Sequence, residues 1–136
     1  GDLLIFSANL APGPDYRKGV EAILPQYDNE PTRRWLSAVL IDAGLDIDFS
    51  DLEYSIREVN GLLRIEVEYA FRRPQTIRLD GESFSFRSGE RFRLFFSYRH
   101  TAPVIQRILK ASGFELIFQQ ITGAEDEGVF LFRRVT

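Results

Sequence analysis

FRLFFSYRHT, residues 92–101, stands between a middle rich in alternating apolar residues and an end with helical spacing. Read as a strand, it puts Phe92, Leu94, Phe96 and Tyr98 on one face and Arg93, Phe95, Ser97 and Arg99 on the other. The first face reads as core. The second mixes an aromatic ring, a hydroxyl and two guanidiniums, which suits the wall of a pocket or a wetted surface. Thr101-Ala102-Pro103 then opens a helix, so the stretch joins a sheet-rich middle to a helical end.

Upstream of it lie two hairpin signals. Tyr54–Val59 and Leu62–Phe71 flank Asn60-Gly61, and Thr76–Leu79 and Ser83–Arg87 flank Asp80-Gly81. Leu63, Ile65, Val67, Tyr69 and Phe71 alternate with Arg64, Glu66, Glu68 and Ala70, which predicts a two-faced strand. The middle therefore reads as an antiparallel meander of four or five strands. Downstream, Val104, Ile105, Ile108 and Leu109 predict a helix ending at Gly113, with strands at Phe114–Ile121 and Val129–Val135 around an acidic loop, residues 123–128.

Further out, Leu3–Leu10 (LLIFSANL) has the compact apolar run of a strand buried on both faces, as in parallel sheets. Asp15 caps a helix through Leu24, and Pro25–Glu30 is a polar link. A second helix starts at Pro31 and stops at Gly44, with Trp35, Leu36, Val39, Leu40 and Ala43 at helical spacing and Trp35 as a core anchor. The order strand, inserted material, strand, helix, strand, strand reads as the closing portion of a doubly wound α/β sheet interrupted by the meander.

Composition bounds the function. A length of 136 residues suits one domain; the 44% apolar and 27% charged fractions, with 12 Phe, suit a soluble fold with an aromatic core. A net charge of −3 gives no general field for nucleic acid or an anionic membrane. No apolar run reaches the ~18–20 residues of a membrane span, and no secretory leader is visible, which makes the cytoplasm the default location. The missing start Met and the immediate apolar run after Gly1 read as a piece cut from a longer chain.

Chemistry read from residue types alone is sparse. Without cysteine there is no disulfide, thiol nucleophile or Cys-ligated zinc, and the single imidazole, His100, cannot build a multi-His metal site. Asp46, Asp48 and Asp51 (DIDFSD) lack the central Gly of a calcium loop, and position twelve is Arg57 rather than Glu, so they read as turn and cap residues. Ser97 and His100 fall on opposite faces of a strand, no nucleophile elbow surrounds the serine, and no Gly-rich phosphate loop is present. Arg91, Arg93 and Arg99 interleaved with Phe92, Phe95 and Tyr98 leave open a stacking platform for single-stranded nucleic acid, although the RNA-binding aromatic-glycine motif is absent and the net charge opposes it.

Four landmarks occur in a fixed order: LLIFSANLAPG, PQYDNEPTRRWL, RIEVEY, and FFSYRHT followed by a helix, a Phe-Glu-Leu strand and a last strand. Together they resemble the C-terminal part of the histidine-specific S-adenosylmethionine-dependent methyltransferase family, whose best-known members trimethylate the α-amino group of histidine on the way to ergothioneine. They are similar, in that order, to the family's "LL(I/G)xDL" strand, its "YND…N" segment, its "IEM" strand and its "ExSxKF/Y" segment.

The resemblance implies an α/β fold, α+β when taken as a fragment. It would be the C-terminal part of a class I methyltransferase sheet, with residues 1–11 and 99–136 supplying its last strands and helix. Residues 12–98 would be the inserted substrate-binding lobe of helices and antiparallel meander. The S-adenosylmethionine-binding half would lie upstream in the same polypeptide, leaving no cofactor, metal or catalytic residue in this portion and making it inactive alone. The implied partners are that upstream half and a small amine substrate, with no membrane. Strand Leu3–Leu10, its sheet neighbour absent, is expected to pair with another copy or be covered by another segment.

Residue by residue, the resemblance implies that Tyr27 helps hold the substrate carboxylate and that Ser97 lies near the substrate side chain. Two positions depart from the family pattern. The glutamate that reads imidazole is Phe95, and the methionine of "IEM" is Val67. A phenyl ring offers no acceptor to an imidazole N–H, so the expected substrate is a more apolar or aromatic amine. A binding or regulatory module that keeps the lobe without turnover is the alternative, alongside the nucleic-acid-binding sheet.

Overall fold

The computed structural model describes residues 1–135. In chain order these form β1 (Leu3–Asn9), α1 (Tyr16–Tyr27), α2 (Glu30–Asp42), β2 (Leu52–Val59), β3 (Leu62–Ala70), β4 (Gln75–Leu79), β5 (Glu82–Phe86), β6 (Arg91–Arg99), α3 (Ala102–Ala111), β7 (Phe114–Ile121) and β8 (Glu127–Arg134). The result is a mixed α/β chain of antiparallel sheets. Residues divide into two compact units: 1–23, 58–64 and 98–135 in unit 1, and 24–57 and 65–97 in unit 2.

In unit 1, β8 lies between β1 and β7 and pairs antiparallel with both. The parallel, doubly buried strand expected at Leu3–Leu10 is therefore corrected. Its burial alternates, with Leu3 and Ile5 64% and 69% exposed. A compact apolar run satisfies either environment, and the pairing partner decides which. One face of the sheet packs under α3, where Leu10, Ile105, Phe130 and Phe132 are buried among Leu4, Phe6, Leu109 and Leu116. Phe6 stacks on Phe130 and Phe132 at 5.6 and 6.1 Å between ring centroids. Helix α3 is capped by Thr101, whose side-chain oxygen accepts from Val104 N–H.

Two side chains tie distant segments of unit 1 together. The Tyr16 hydroxyl donates to Arg99 O at 2.5 Å and accepts from Leu63 N–H at 2.9 Å. Arg99 is buried and its guanidinium donates to Leu10 O at 3.3 Å. Of the pocket wall or wetted surface expected for its face, Arg99 is not part of a wetted surface, because its guanidinium reaches the backbone carbonyls of Leu10 and Asp126. Gly19 has a packing reason: a Cβ there would meet Pro12 O at 2.3 Å.

Helix α1 runs three residues past the expected end and carries Pro25 inside it, where the proline gives up one hydrogen bond to the preceding turn and its ring crowds that turn's carbonyl. Asp15 accepts from Lys18 N–H as predicted, and Asn29 caps α2 through Thr32 N–H. Helix α2 ends at Gly44 (φ +97°), with Gly44 N–H bonded to Ile41 O and Leu45 N–H to Leu40 O, the double closure of a Schellman motif. Trp35 is 70% exposed and is not a core anchor. The apolar stripe was wider than the face that packs, and Leu36, Ser37 and Leu40 are the residues that go in.

The meander is corrected in its connectivity. Strands β2, β3 and β6 form one sheet in that order, while β4 and β5 form a separate hairpin. Both predicted turns are present, with positive φ at Asn60 and Gly61 (53° and 76°) and at Asp80 and Gly81 (49° and 86°), as type I′ turns demand. The core of unit 2 gathers Leu36, Leu40, Leu45, Leu52, Val67, Tyr69, Phe71 and Ile77.

Candidate functional site

The alternation of β3 gives the sheet two unlike faces. Val67, Tyr69 and Phe71 enter the core, whereas Glu66 and Glu68 face the other way. On that second face Arg57 holds Glu66 at 2.8 Å and Glu68 at 3.5 Å, while Arg93 holds Glu66 at 3.6 Å. Arg91 bridges Glu68 at 2.9 Å and Glu53. Glu66 is only 2% exposed beneath its two arginines. Hydrogen bonds to Glu53 and Glu68 push the Arg91 pKa up.

Strand β6 does not keep the strict alternation expected of it. Arg91 and Arg93 lie on the charged face, and the Arg93 guanidinium sits over the Phe96 ring at 5.1 Å, so Phe96 shares that face. Leu94 and Phe95, adjacent in sequence, both pack on the unit 2 core, and Phe92 reaches it through Phe86, which stacks on Phe71. The side-chain parity therefore slips by one residue at Leu94–Phe95, the signature of a β-bulge. The expected grouping of Phe95 with Arg93, and of Phe96 with Phe92, is corrected. Phe96 is 47% exposed.

Beyond the slip, Phe95 and Ser97 meet Tyr27. The Tyr27 and Phe95 rings lie 5.5 Å apart at 35°, and the Tyr27 hydroxyl donates to Ser97 Oγ at a long 3.4 Å. Val67 is fully buried in the cluster on which Phe95 packs. Three of the four sequence-derived residues thus touch one another, and Val67 lies in the core on which Phe95 rests.

Sequence reasoning missed three neighbours. Asp28 follows Tyr27 and accepts from Arg33 Nε at 2.6 Å; Arg33 also donates to Phe49 O, Ser50 O and Leu52 O. The same guanidinium lies 4.9 Å from the centre of the Tyr54 ring. Tyr54 packs on the same core as Phe95, and its hydroxyl is buried without a hydrogen-bond partner among the described residues. Burial pushes its phenol pKa up; Arg33 opposes the rise and Asp28 adds to it. No local motif announces this trio, because its members meet only through tertiary folding.

Unit 1 holds a separate cleft of about 360 Å³. Phe6, Ile105, Ile108 and Leu109 give it apolar walls, with Asn9, Tyr98 and His100 as polar points. His100 closes a parallel bridge with Leu10, and burial pushes its imidazole pKa down, favouring the neutral ring. The DIDFSD carboxylates are engaged elsewhere: Asp46 with Arg73, Asp51 with Arg72, and Asp48 on Ser50 N–H. Among the described residues no group of three His, Cys, Asp or Glu side chains could hold a metal.

The family model for histidine-specific, SAM-dependent methyltransferases matches residues 13–134. The chain belongs to that family. S-adenosylmethionine is therefore the family's methyl donor, and the match takes in Tyr27, Tyr54, Val67, Phe95 and Ser97. No curated protein matches the chain. Among the described residues no helix is long and apolar enough to cross a membrane.

Proposed function

We propose that this member of the methyltransferase family forms the substrate-facing part of an enzyme that methylates an amino group of a small amine. Its wall selects an uncharged, apolar or aromatic substrate end. The observation that carries this reading is the Tyr27–Phe95–Ser97 contact: an aromatic pair with two hydroxyls, at the place where the family resemblance expects an imidazole-reading glutamate. The nearby charges do not replace it, because Arg33 neutralises Asp28 through Nε and turns Nη1 onto backbone carbonyls. Orientation is then the site's contribution, since transfer needs the amine aligned about 3 Å from the methyl group.

The residues of this chain do not fit the cofactor itself. Positive-φ glycines are spent in hairpin turns (Gly61, Gly81), at helix ends (Gly44, Gly113) and before β6, where Gly89 N–H donates to Phe71 O, and Gly13 N–H is bonded to Glu125 Oε2. Among the described residues no glycine-rich strand-to-helix turn is left to approach a nucleoside. An upstream half of the same polypeptide is the proposed holder of S-adenosylmethionine. The nucleic-acid reading loses its platform, because Arg91 and Arg93 are paired with glutamates.

The test is methyl transfer by the full-length polypeptide to a panel containing histidine, phenylalanine, tyrosine and tryptophan, read by mass spectrometry. The aromatic members should be preferred, and Phe95→Glu should move the preference toward histidine. A wild-type enzyme that prefers histidine, or a Phe95→Glu variant with an unchanged ranking, refutes the reading.

A further inference from the structure

We infer that Tyr54 is a further specificity-determining residue of this site, its hydroxyl reserved for a hydrogen-bonding atom on the uncharged end of the substrate. The inference rests on the proposed function and adds a polar requirement to an otherwise apolar wall.

Three observations carry it. First, Tyr54 stands on β2, Val67 on β3 and Phe95 on β6, consecutive strands of one sheet, and all three pack toward the same core. Tyr54 therefore shares a face with the residues already placed at the site. Second, the ring is held firmly. Arg33 lies over it at 4.9 Å, and that guanidinium is itself anchored by Asp28 and three backbone carbonyls from residues 49–52. A phenol so clamped cannot swing its hydroxyl into solvent. Third, the hydroxyl is buried with no partner among the described residues. Leaving a buried hydroxyl unpaired costs stability, and phenylalanine would fill the same volume without that cost. Retaining the oxygen is explained if substrate completes the bond.

A phenol is protonated at neutral pH and burial only raises its pKa further, so the hydroxyl both donates and accepts. Indole N–H and phenol O–H groups fit, and a bare phenyl ring does not. Discrimination of this kind is asymmetric: a site built for a polar atom rejects the analogue lacking it more strongly than an apolar pocket rejects an added hydroxyl.

Tyr54→Phe separates these readings. In this chain alone, its melting temperature should stay within about 2 °C of wild type or rise, because no protein bond is lost. A fall of several degrees shows that the oxygen has a structural partner and overturns the inference. In the full-length enzyme, wild type should favour tyrosine or tryptophan over phenylalanine by about tenfold or more in kcat/KM. Tyr54→Phe should shrink that ratio to about threefold or less, through KM rather than kcat. If wild type methylates phenylalanine as well as the polar pair, or if the variant keeps the preference, the inference fails while the proposed function stands. If wild type methylates none of the panel, both fail.

Discussion

Replacing Tyr16 by Phe removes one oxygen that serves two backbone groups at once. Arg99 O loses its 2.5 Å donor and Leu63 N–H its 2.9 Å acceptor, and both residues are buried. A buried group left unsatisfied costs about 1–3 kcal/mol, and two groups that relax partly toward water should together cost about 2–3 kcal/mol. With an unfolding entropy of about 2.1 cal/mol/K per residue, a chain of 136 residues loses about 3.5 °C per kcal/mol, so Tm should fall by roughly 7–10 °C. Circular dichroism melts measure this, and hydrogen exchange at the Leu63 amide should quicken.

The same hydroxyl gives a pH signature. Burial raises the Tyr16 pKa above 10.0, the Leu63 N–H opposes the rise and Glu58 adds to it. The folded state then holds this proton more tightly than the unfolded chain. The contribution is complete below pH 10 and is lost as pH climbs through the folded value. Tyr16→Phe should lack that alkaline limb. A Tm within about 2 °C of wild type refutes the two-bond bridge, since even one orphaned group costs about 1 kcal/mol.

Burial lowers the His100 pKa, so the unfolded chain takes the proton first. Urea midpoints should drop as pH falls through about 6.5 and level off below the folded value; His100→Gln should flatten that slope, and parallel slopes would count against it. Arg57→Ala withdraws a 2.8 Å contact from a buried carboxylate and should cost about 2–3 kcal/mol, whereas Glu66→Gln, which leaves two half-exposed arginines, should cost about 1 kcal/mol. Equal losses in urea unfolding would refute this asymmetry. Strand β1 turns the backbone of Leu3, Ile5 and Ser7 away from β8, since Asp2 O and Leu10 N make the β8 bonds, and we propose pairing with a second copy there. Sedimentation should show a dimer that Ile5→Lys dissociates, and a monomer at every concentration tested ends that proposal.

Features set by a few adjacent residues were legible in the sequence. Asn60-Gly61 and Asp80-Gly81 announce their turns because few other pairs tolerate two positive φ values, and Asp15 and Gly44 mark helix ends by the same local logic. Tyr27, Phe95 and Ser97 were reachable through a family pattern, not through spacing. What escaped depends on partners distant in sequence. Trp35 faces outward because the core takes Leu36 and Leu40, a choice that helical periodicity leaves undecided. Strand β1 is antiparallel because β8, more than 110 residues downstream, lies beside it. Tyr54 looked like any strand tyrosine until Arg33 and Asp28 arrived from the helix side.

The slip at Leu94–Phe95 splits β6 into two segments whose side chains obey opposite parities. Arg91 and Arg93 are locked to the glutamates of β3, so their segment tolerates little change. Phe95 and Ser97 sit past the break and are released from that constraint. Variation can accumulate there without disturbing the ion pairs, which under the proposed function would make the strand an adjustable selector mounted on a fixed base. Deleting one residue at the break would restore strict alternation, with Phe96 still on the face of Arg93 and Ser97 still on the face of Leu94, so the extra residue is what lets two neighbouring side chains enter the core together.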